Sequence, residues 1–373
     1  MALLLNEDEK MLQESAQGFF AEKAPVSQLR TLRDNNDEIG FSKSLWKEMA
    51  EMGFTSVLIP EEYSGVDMGF MAAGLISEEM GRNLTASPFL SSAVLAVEAL
   101  KAHGNTEQKS KHLPSIGAGK TLFALAIDES NKHNPAEISL TATPSGNGFK
   151  LNGYKTMVVD GHVANHIMVI AKTDESMSVF IVPNETKGVE IERTIMADSR
   201  NAARISFDDV EVTGEQILGN VGDGDKILDT VLNAGRAILA AEMLGASSQV
   251  FEHTNTYLRE RKQFGKIIGE FQALQHRASH LYCELELARS AVFSALTALD
   301  DGADNAGAIV GMAKAKLGSV AKLAALEAVQ LHGGMGMTDE LDIGLYLKRI
   351  RVAQELLGDS DFHLEQSARH KGY

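Results

Sequence analysis

Three long segments of helical periodicity in the C-terminal part of the chain constrain its fold more than any other feature. They cover residues 227–261, 271–299 and 305–331. Each is far longer than the mean helix of about 11–12 residues, and each has a face rich in alanine. Because small side chains let helix axes approach closely, this pattern predicts a C-terminal four-helix bundle.

The periodicity changes twice before these segments. Up to residue 120 the pattern is helical, with Asn6 and the acidic residues after it resembling an N-cap and first helical turn. From about Thr121, short β-branched runs alternate with Gly, Asn, Asp and Ser turns, which predicts a middle β-barrel or sandwich. We therefore predict an α+β chain with three domains: 1–120, N-terminal helical; 121–225, middle β; 226–373, C-terminal helical.

Charge and cysteine content narrow the classes of function. The net charge of −16 argues against nucleic acid or an anionic membrane as a general partner. Cys283 is the single cysteine, so neither an internal disulfide nor a thiolate metal site is expected. No apolar run reaches the roughly 20 residues that span a bilayer, and the N-terminus lacks the features of a signal peptide. We expect a cytoplasmic protein without membrane insertion or a metal site.

Several short motifs occur in a fixed order along the chain. They lie at 59–70, 196–212, 259–281 and 330–340. The glycines of the last motif, "HGGMGM", do not stand between a strand and a helix, so they are not a dinucleotide fingerprint of the Rossmann type. Taken alone, this motif predicts a turn that ends a helix at Gly333.

Taken together, these motifs resemble the acyl-CoA dehydrogenase family of flavoproteins, in which an Arg-x-x-Phe-Gly turn joins two long helices. The resemblance covers nearly the whole chain and implies that family's fold, with FAD as cofactor and an acyl-CoA as substrate. It also implies electron-transfer flavoprotein as acceptor, a tetrameric assembly and a role in fatty acid metabolism and lipid degradation. The segment "HGGMGMTDELDIGLYLKR" resembles the small subunit of heteromeric bacterial enzymes of this family, such as pimeloyl-CoA dehydrogenase.

The resemblance also assigns roles to individual residues. Arg261 would face the FAD pyrophosphate, although a solvated cation at a helix end is the alternative. The FAD site would be completed across a subunit interface. The residues assigned to FAD are Arg261, Gln263, Phe264, Ile268, Phe271, Leu274, Gln330 and Gly334, and Arg236 is assigned to the substrate.

The catalytic base is where this chain departs from the family. The resemblance places the base at one of two positions, and these hold Leu357 and Gly235. Neither side chain accepts a proton, but the backbone N–H of Leu357 could still polarise a thioester. Asp359 and Glu242 are two carboxylates near enough in sequence to be considered as replacements. Asp359 could instead cap a helix, and Glu242 could instead make a polar contact inside the bundle.

The middle domain departs from the family as well. Asp128 and Glu129 replace the first two residues of a Thr-Glu-Pro strand. A Trp-Ile-Thr stretch that covers the flavin ring in the family is replaced by Met157, Val158 and Val159. Because a valine side chain cannot hydrogen-bond to a flavin, we expect weaker FAD binding, or FAD in half the sites of a heteromer.

Three functions follow from these observations. The leading hypothesis is FAD-dependent α,β-dehydrogenation of an acyl-CoA to a 2-enoyl-CoA, with this chain as one subunit beside a larger, related subunit that carries the base. The first alternative is a self-sufficient homo-oligomer that uses Asp359 or Glu242. The second is a non-catalytic CoA-binding or scaffold subunit.

Overall fold

The computed structural model describes residues 4–174, 176–370 and 372. By backbone packing, these residues form two compact units, each built from separate stretches of sequence. The first unit contains residues up to Thr31, Phe70–Thr85 and the chain from Arg236 onward, and the second contains Leu32–Gly69 and Ala86–Gly235. The three-part division at residues 120 and 225 stays a prediction.

The helices and strands follow the order that the sequence predicts. The N-terminal helices are α1 (Glu7–Lys23), α2 (Val26–Asp34), α3 (Lys43–Glu51), α4 (Gly69–Arg82), α5 (Val97–His103) and α6 (Thr106–Gly117), with a π-helical stretch at Phe89–Ala96. The strands are β1 (Phe123–Ala126), β2 (Thr141–Ser145), β3 (Gly148–Val159), β4 (His166–Thr173), β5 (Ser176–Pro183), β6 (Val189–Ile195), β7 (Asn201–Thr213), β8 (Ile217–Leu218), β9 (Lys262–Gln263) and β10 (Lys266–Ile267). The C-terminal helices are α7 (Gly224–Glu260), α8 (Gln272–Asp300), α9 (Ala306–His332), α10 (Ile343–Glu355) and α11 (Ser360–His370).

The first helix begins as predicted, with a reciprocal cap. The Glu9 N–H donates to Asn6 Oδ1 at 2.8 Å, and the Asn6 N–H donates to Glu9 Oε2 at 2.7 Å. This capping box satisfies two of the N–H groups that a helix start leaves without intrahelical partners.

The first unit is a helical assembly with α9 at its centre, packed against α8, α10 and α11. Glycines set the approach of α4 to α7. A Cβ added at Gly81 would lie 2.1 Å from the Glu242 carbonyl oxygen, and one at Gly245 would lie 1.8 Å from the Glu78 carbonyl oxygen. The two backbones are therefore in direct contact, which larger side chains would prevent.

The sheet of the second unit has the strand order β6-β7-β3-β2-β4-β5-β8, and β1 pairs with β4. A single residue pair, Thr141 with Lys172, joins β2 to β4, so the sheet has two halves with a narrow connection. Both halves contribute to one hydrophobic core, which includes Leu151 and Ile205 from one half and Val169 and Phe180 from the other. This arrangement is a sheet folded over a single core.

The fold class predicted from the sequence is confirmed: helices precede and follow a sheet. The three long helical segments are confirmed as α7, α8 and α9, and the described part of the chain adds α10 and α11 after them. Among the described helices, none has the combination of length and hydropathy needed to cross a membrane.

Candidate active site

The turn between α10 and α11 holds the position where the family resemblance expects a catalytic carboxylate. Leu357 in this turn has φ +59°, and Gly358 has φ +101°. A left-handed backbone costs a residue with a side chain about 1–2 kcal/mol, whereas glycine adopts it freely. The Leu357 conformation therefore needs support from the residues around the turn.

Two cations supply that support by binding carbonyl oxygens of the turn. Lys314 Nζ donates to the carbonyl oxygens of Gln354 at 3.0 Å and Gly358 at 2.9 Å. Arg236 Nε donates to the Leu357 carbonyl oxygen at 2.9 Å. Arg236, predicted to bind substrate, thus contacts the turn itself.

The sequence pattern did not single out Lys314. Its side chain is 1% exposed, and burial, assisted by the nearby Arg236 cation, lowers its pKa to about 7. One feature of the sequence does point to Lys314: it lies on a face of α9 where the other residues are mostly alanine, valine and leucine. Lys316, two positions later, instead reaches the solvated side of the helix and pairs with Glu284.

The Leu357 N–H is available to a ligand. Among the described residues it has neither a backbone nor a side-chain acceptor. The neighbouring N–H groups are occupied, since Leu356 donates to the Val352 carbonyl at 3.1 Å and Gly358 to the Glu355 carbonyl at 3.3 Å. The turn therefore presents the Leu357 backbone N–H as a donor without an acceptor at the position where the side chain is an aliphatic leucine.

Asp359, the first candidate base, caps α11. Its Oδ1 accepts a hydrogen bond from the Phe362 N–H at 2.8 Å, the bond that an N-cap side chain makes to the first turn. The structure thus favours the alternative of a helix cap over a base.

Glu242, the second candidate, forms a buried ion pair. Its Oε1 lies 3.3 Å from an Nη atom of Arg349, which is 1% exposed. Arg349 also donates to the carbonyl oxygens of Leu84 and Thr85, both at 3.3 Å. Glu242 therefore neutralises a cation that holds the end of α4 to α10, in agreement with a polar contact inside the bundle.

The Arg-x-x-Phe-Gly segment folds into a two-residue β-hairpin between α7 and α8. Its strands β9 and β10 pair antiparallel, with Gln263 opposite Lys266. Phe264 and Gly265 form the turn with φ values of +55° and +83°, as a type I′ turn requires. The Phe264 side chain is 91% exposed, and Arg261 and Gln263 are exposed beside it.

The base of this hairpin packs on the end of α9. Ile268 and Leu331 are buried together there, with Phe271 and Leu274 packed against them. This contact brings the hairpin next to the glycine-rich turn after α9, and so brings together most of the residues assigned to FAD.

The glycine-rich turn leaves its backbone accessible. Gly333 has φ +60° and ψ −138°, a conformation essentially limited to glycine, and it ends α9 as predicted. A Cβ added at Gly334 would meet no atom within 4 Å, so its backbone is open. An exposed guanidinium, an exposed aromatic ring and an open glycine backbone together fit a ligand with phosphates and a planar ring, as FAD has.

In the second unit, Glu129, one of the two residues that replace the start of the Thr-Glu-Pro strand, forms a buried ion pair with Lys155. Lys155 Nζ, with a fully buried side chain, donates to Glu129 Oε1 at 2.7 Å and to the Ile127 carbonyl at 2.9 Å. Glu129 also accepts from two backbone N–H groups, those of Ser139 and Leu140. Glu129 therefore links the loop that follows β1 to the strand β3.

The end of β3 carries the residues that replace Trp-Ile-Thr. Met157 has φ +54° and a side chain 45% exposed, at a break in the register between β3 and β7, while Val158 is buried. Asp160 follows, buried, with its Oδ2 accepting from Ser91 Oγ at 2.7 Å. Burial raises the pKa of Asp160 to about 6.

Asp160→Asn should therefore change how stability depends on pH. Because the pKa of Asp160 is about 6 in the folded chain and 3.8 ordinarily, the wild type should lose stability as pH rises between these values, by about 3 kcal/mol at most. The variant should lack that loss and unfold at higher urea concentration than wild type at pH 7. Asp209→Asn is the matched control, since Asp209 has the same left-handed backbone but is exposed; identical pH profiles for wild type and Asp160→Asn would contradict the assignment.

Arg349→Met should destabilise the first unit strongly, because it leaves the Glu242 carboxylate buried and without this partner. We expect a loss of about 3–5 kcal/mol in the free energy of unfolding. Glu242→Gln keeps an acceptor for Arg349 but removes the charge of the carboxylate from the pair, so it should cost a similar amount, about 3–5 kcal/mol. The control is Arg351→Met, which removes an exposed pair with Glu355 and should cost about 1 kcal/mol or less. Similar losses for the two arginine variants, measured by urea unfolding, would argue against the buried pair.

The chain is similar to known proteins over nearly its whole length. Three domain models of acyl-CoA dehydrogenases match it: the N-terminal domain at residues 6–120, the middle domain at 124–210 and the C-terminal domain at 222–372. Isovaleryl-CoA dehydrogenase of Bos taurus is 30% identical over 376 aligned positions, which cover 96% of this chain and 86% of the relative.

Solved structures agree with this match. The structure of a variant of the Tcur3481-Tcur3483 steroid ACAD is 29% identical, with a TM-score of 0.89 and 97% of both chains covered. The structure of PigA with FAD and proline is 26% identical, with a TM-score of 0.92, and covers 100% of this chain and 99% of the other. With the motifs and the sheet between helical parts already described, these matches lead to one conclusion: the chain belongs to the acyl-CoA dehydrogenase family.

Proposed function

We propose that this chain takes part in FAD-dependent α,β-dehydrogenation of an acyl-CoA thioester as one subunit of a heteromeric enzyme whose partner supplies the catalytic base. The observation that carries the proposal is the turn around Leu357. It keeps a free backbone donor where the family resemblance places the base, but its side chain cannot accept a proton.

The Leu357 N–H serves to bind the thioester carbonyl oxygen of the substrate. When the α proton leaves, negative charge develops on that oxygen, and a fixed hydrogen-bond donor stabilises the charge more than it stabilises the ground state. The turn thus contributes to lowering the barrier without contributing a base.

The two carboxylates of this chain considered as replacement bases are committed elsewhere. Asp359 caps a helix, and Glu242 neutralises the buried Arg349. Withdrawing either one would leave a helix start uncapped or a buried cation without its carboxylate, which costs stability. A carboxylate from a larger, related subunit is therefore the proposed proton acceptor.

For the cofactor, we propose the residues that the hairpin and the glycine-rich turn bring together. Arg261 is suited to the pyrophosphate, because its guanidinium donates to two phosphate oxygens at once. Gln263, Phe264 and Phe271 are suited to the adenosine side, and Gln330 and Gly334 offer polar and backbone contacts beside them. When bound, FAD supplies the acceptor for the hydride that leaves the β carbon.

The partners follow from the same proposal. One of the similar structures is named as a pair, Tcur3481-Tcur3483, which supports an assembly of unlike chains. Electrons would pass on to electron-transfer flavoprotein, as the family resemblance implies, and the enzyme would work in the cytoplasm, where a single unpaired cysteine is stable.

Flavin bleaching by an acyl-CoA tests the need for a partner. The chain should be purified alone and co-expressed with the acyl-CoA dehydrogenase-like chain encoded beside it, and each preparation mixed anaerobically with a panel of acyl-CoAs. We expect bleaching near 450 nm only in the co-expressed assembly, because the two candidate carboxylates of the purified chain are committed to other contacts. Asp359→Asn and Glu242→Gln in the assembly should leave the rate of bleaching within about threefold of wild type.

Other outcomes of that experiment point to the two alternatives. Bleaching by the chain alone, lost in Asp359→Asn or Glu242→Gln, would establish a self-sufficient enzyme and overturn the proposal. An assembly that binds acyl-CoA but contains no flavin would establish a scaffold subunit and would also overturn it.

Arg261→Met should lower FAD retention by the assembly, because the variant removes the cation proposed for the pyrophosphate. Loss of a charge-assisted hydrogen bond of this kind weakens binding by about 1.5–3 kcal/mol, or roughly tenfold or more. The measurement is the FAD dissociation constant of the apo-assembly by fluorescence titration. Arg259→Met is the control, since Arg259 is an exposed cation two positions earlier on the last turn of α7; equal FAD affinity in the two variants would remove Arg261 from the site.

A further inference from the structure

We propose that Lys314 is a positioning residue whose two hydrogen bonds hold the Leu357 N–H in the orientation that receives the thioester oxygen. The inference deepens the proposed function and depends on it. Lys314 itself contacts neither substrate nor cofactor in this scheme, because its ammonium group is buried beneath the turn.

The first argument is the geometry of the carbonyl groups. The carbonyl oxygens of Gln354 and Gly358 both accept from Lys314, and the one of Leu357 accepts from Arg236. In a trans peptide the C=O and the following N–H point in opposite directions. The bonds to the Leu357 and Gly358 carbonyls therefore fix the peptide planes on the C-terminal side of Leu357, and the bond to the Gln354 carbonyl fixes a plane at the end of α10, before Leu357.

The preceding side of Leu357 is anchored as well. The Leu356 N–H donates to the Val352 carbonyl, which ties that residue to the last turn of α10. With both neighbours fixed, the Leu357 backbone is confined to its left-handed conformation, and the direction of its N–H is set. Without Lys314, the carbonyls of Gln354 and Gly358 would lose this donor, Arg236 alone would hold the C-terminal side of Leu357, and the strain of φ +59° could relax.

The second argument is the cost of burying the ammonium group. Burial disfavours the ammonium form of Lys314 and so lowers its pKa. The Arg236 cation lowers the pKa further, while the carboxylates of Glu355 and Asp359 raise it. A methionine of similar length would fill the same space without that penalty. A stability role alone would favour such a side chain, whereas only a donor group can hold two carbonyl oxygens in place.

The third argument is the contrast with Lys316 on the same helix. Lys316 lies two positions later, is partly exposed and pairs with Glu284 of α8. Within the described part of the chain, Lys316 makes no hydrogen bond or ion pair with the turn. The two lysines therefore differ in position but not in chemistry, which makes Lys316 a control for loss of a cation from α9.

The test compares Lys314→Met, Lys314→Gln and Lys316→Met in the assembled enzyme. Hydrogen–deuterium exchange of the peptide covering residues 354–359 reports the order of the turn. The dissociation constant of a non-reactive 3-thiaacyl-CoA, read from its charge-transfer band with the flavin, reports thioester binding, and kcat and KM are measured with a reactive acyl-CoA.

We expect faster exchange across the turn in Lys314→Met, with analogue affinity and kcat lowered about tenfold to a hundredfold and FAD content unchanged. Lys314→Gln, which retains one donor group, should lie between Lys314→Met and wild type, and it carries the test if Lys314→Met does not fold. Lys316→Met should match wild type in every measurement.

Two results would overturn the inference. Faster exchange with unchanged analogue affinity and kcat would show that the order of the turn is irrelevant to the substrate, and unchanged exchange would show that Lys314 does not hold it. The proposed function fails in a different way: the wild-type assembly would then give neither a charge-transfer band nor bleaching with any acyl-CoA tested.

Discussion

The hydrogen bonds from two cations to the carbonyl oxygens of one turn are the interaction on which the candidate active site depends. Lys314 and Arg236 come from different helices, α9 and α7, and meet at the end of a third, α10. The guanidinium of Arg236 and the ammonium form of Lys314 are charged donors, and a bond from a charged donor to a backbone acceptor is stronger than a bond between neutral groups. Because the acceptors belong to the backbone, these hydrogen bonds do not depend on the Leu357 side chain.

Other buried charged side chains of this protein are paired with a partner of opposite charge. Glu242 pairs with Arg349 in one unit, and Glu129 pairs with Lys155 in the other. Charge inside a protein is tolerated only when it is paired and hydrogen-bonded. These carboxylates are consequently parts of the architecture, and the proposed function takes the proton acceptor from outside the chain.

The sequence predicted the helices better than it predicted the site. The periods of α7, α8 and α9 and the cap at Asn6 are local properties, since each depends on residues a few positions apart, and the structure confirms them. The partners of Lys314 and Arg349 depend on contacts between helices distant in sequence, which periodicity does not report. A lysine within an alanine-rich helix is usually solvated, so the sequence pattern predicts an exposed Lys314.

The helix α9 connects the two halves of the candidate site in the first unit. Lys314 lies in its first half and His332 at its last position, 18 residues later, or about 27 Å along the axis. One end supports the turn proposed for the thioester, and the other ends in the glycine loop proposed for the cofactor phosphates. Inserting or deleting a residue between them would rotate one relative to the other by about 100°. The helix therefore works as a fixed spacer that sets both the distance and the relative rotation of the turn and the glycine loop.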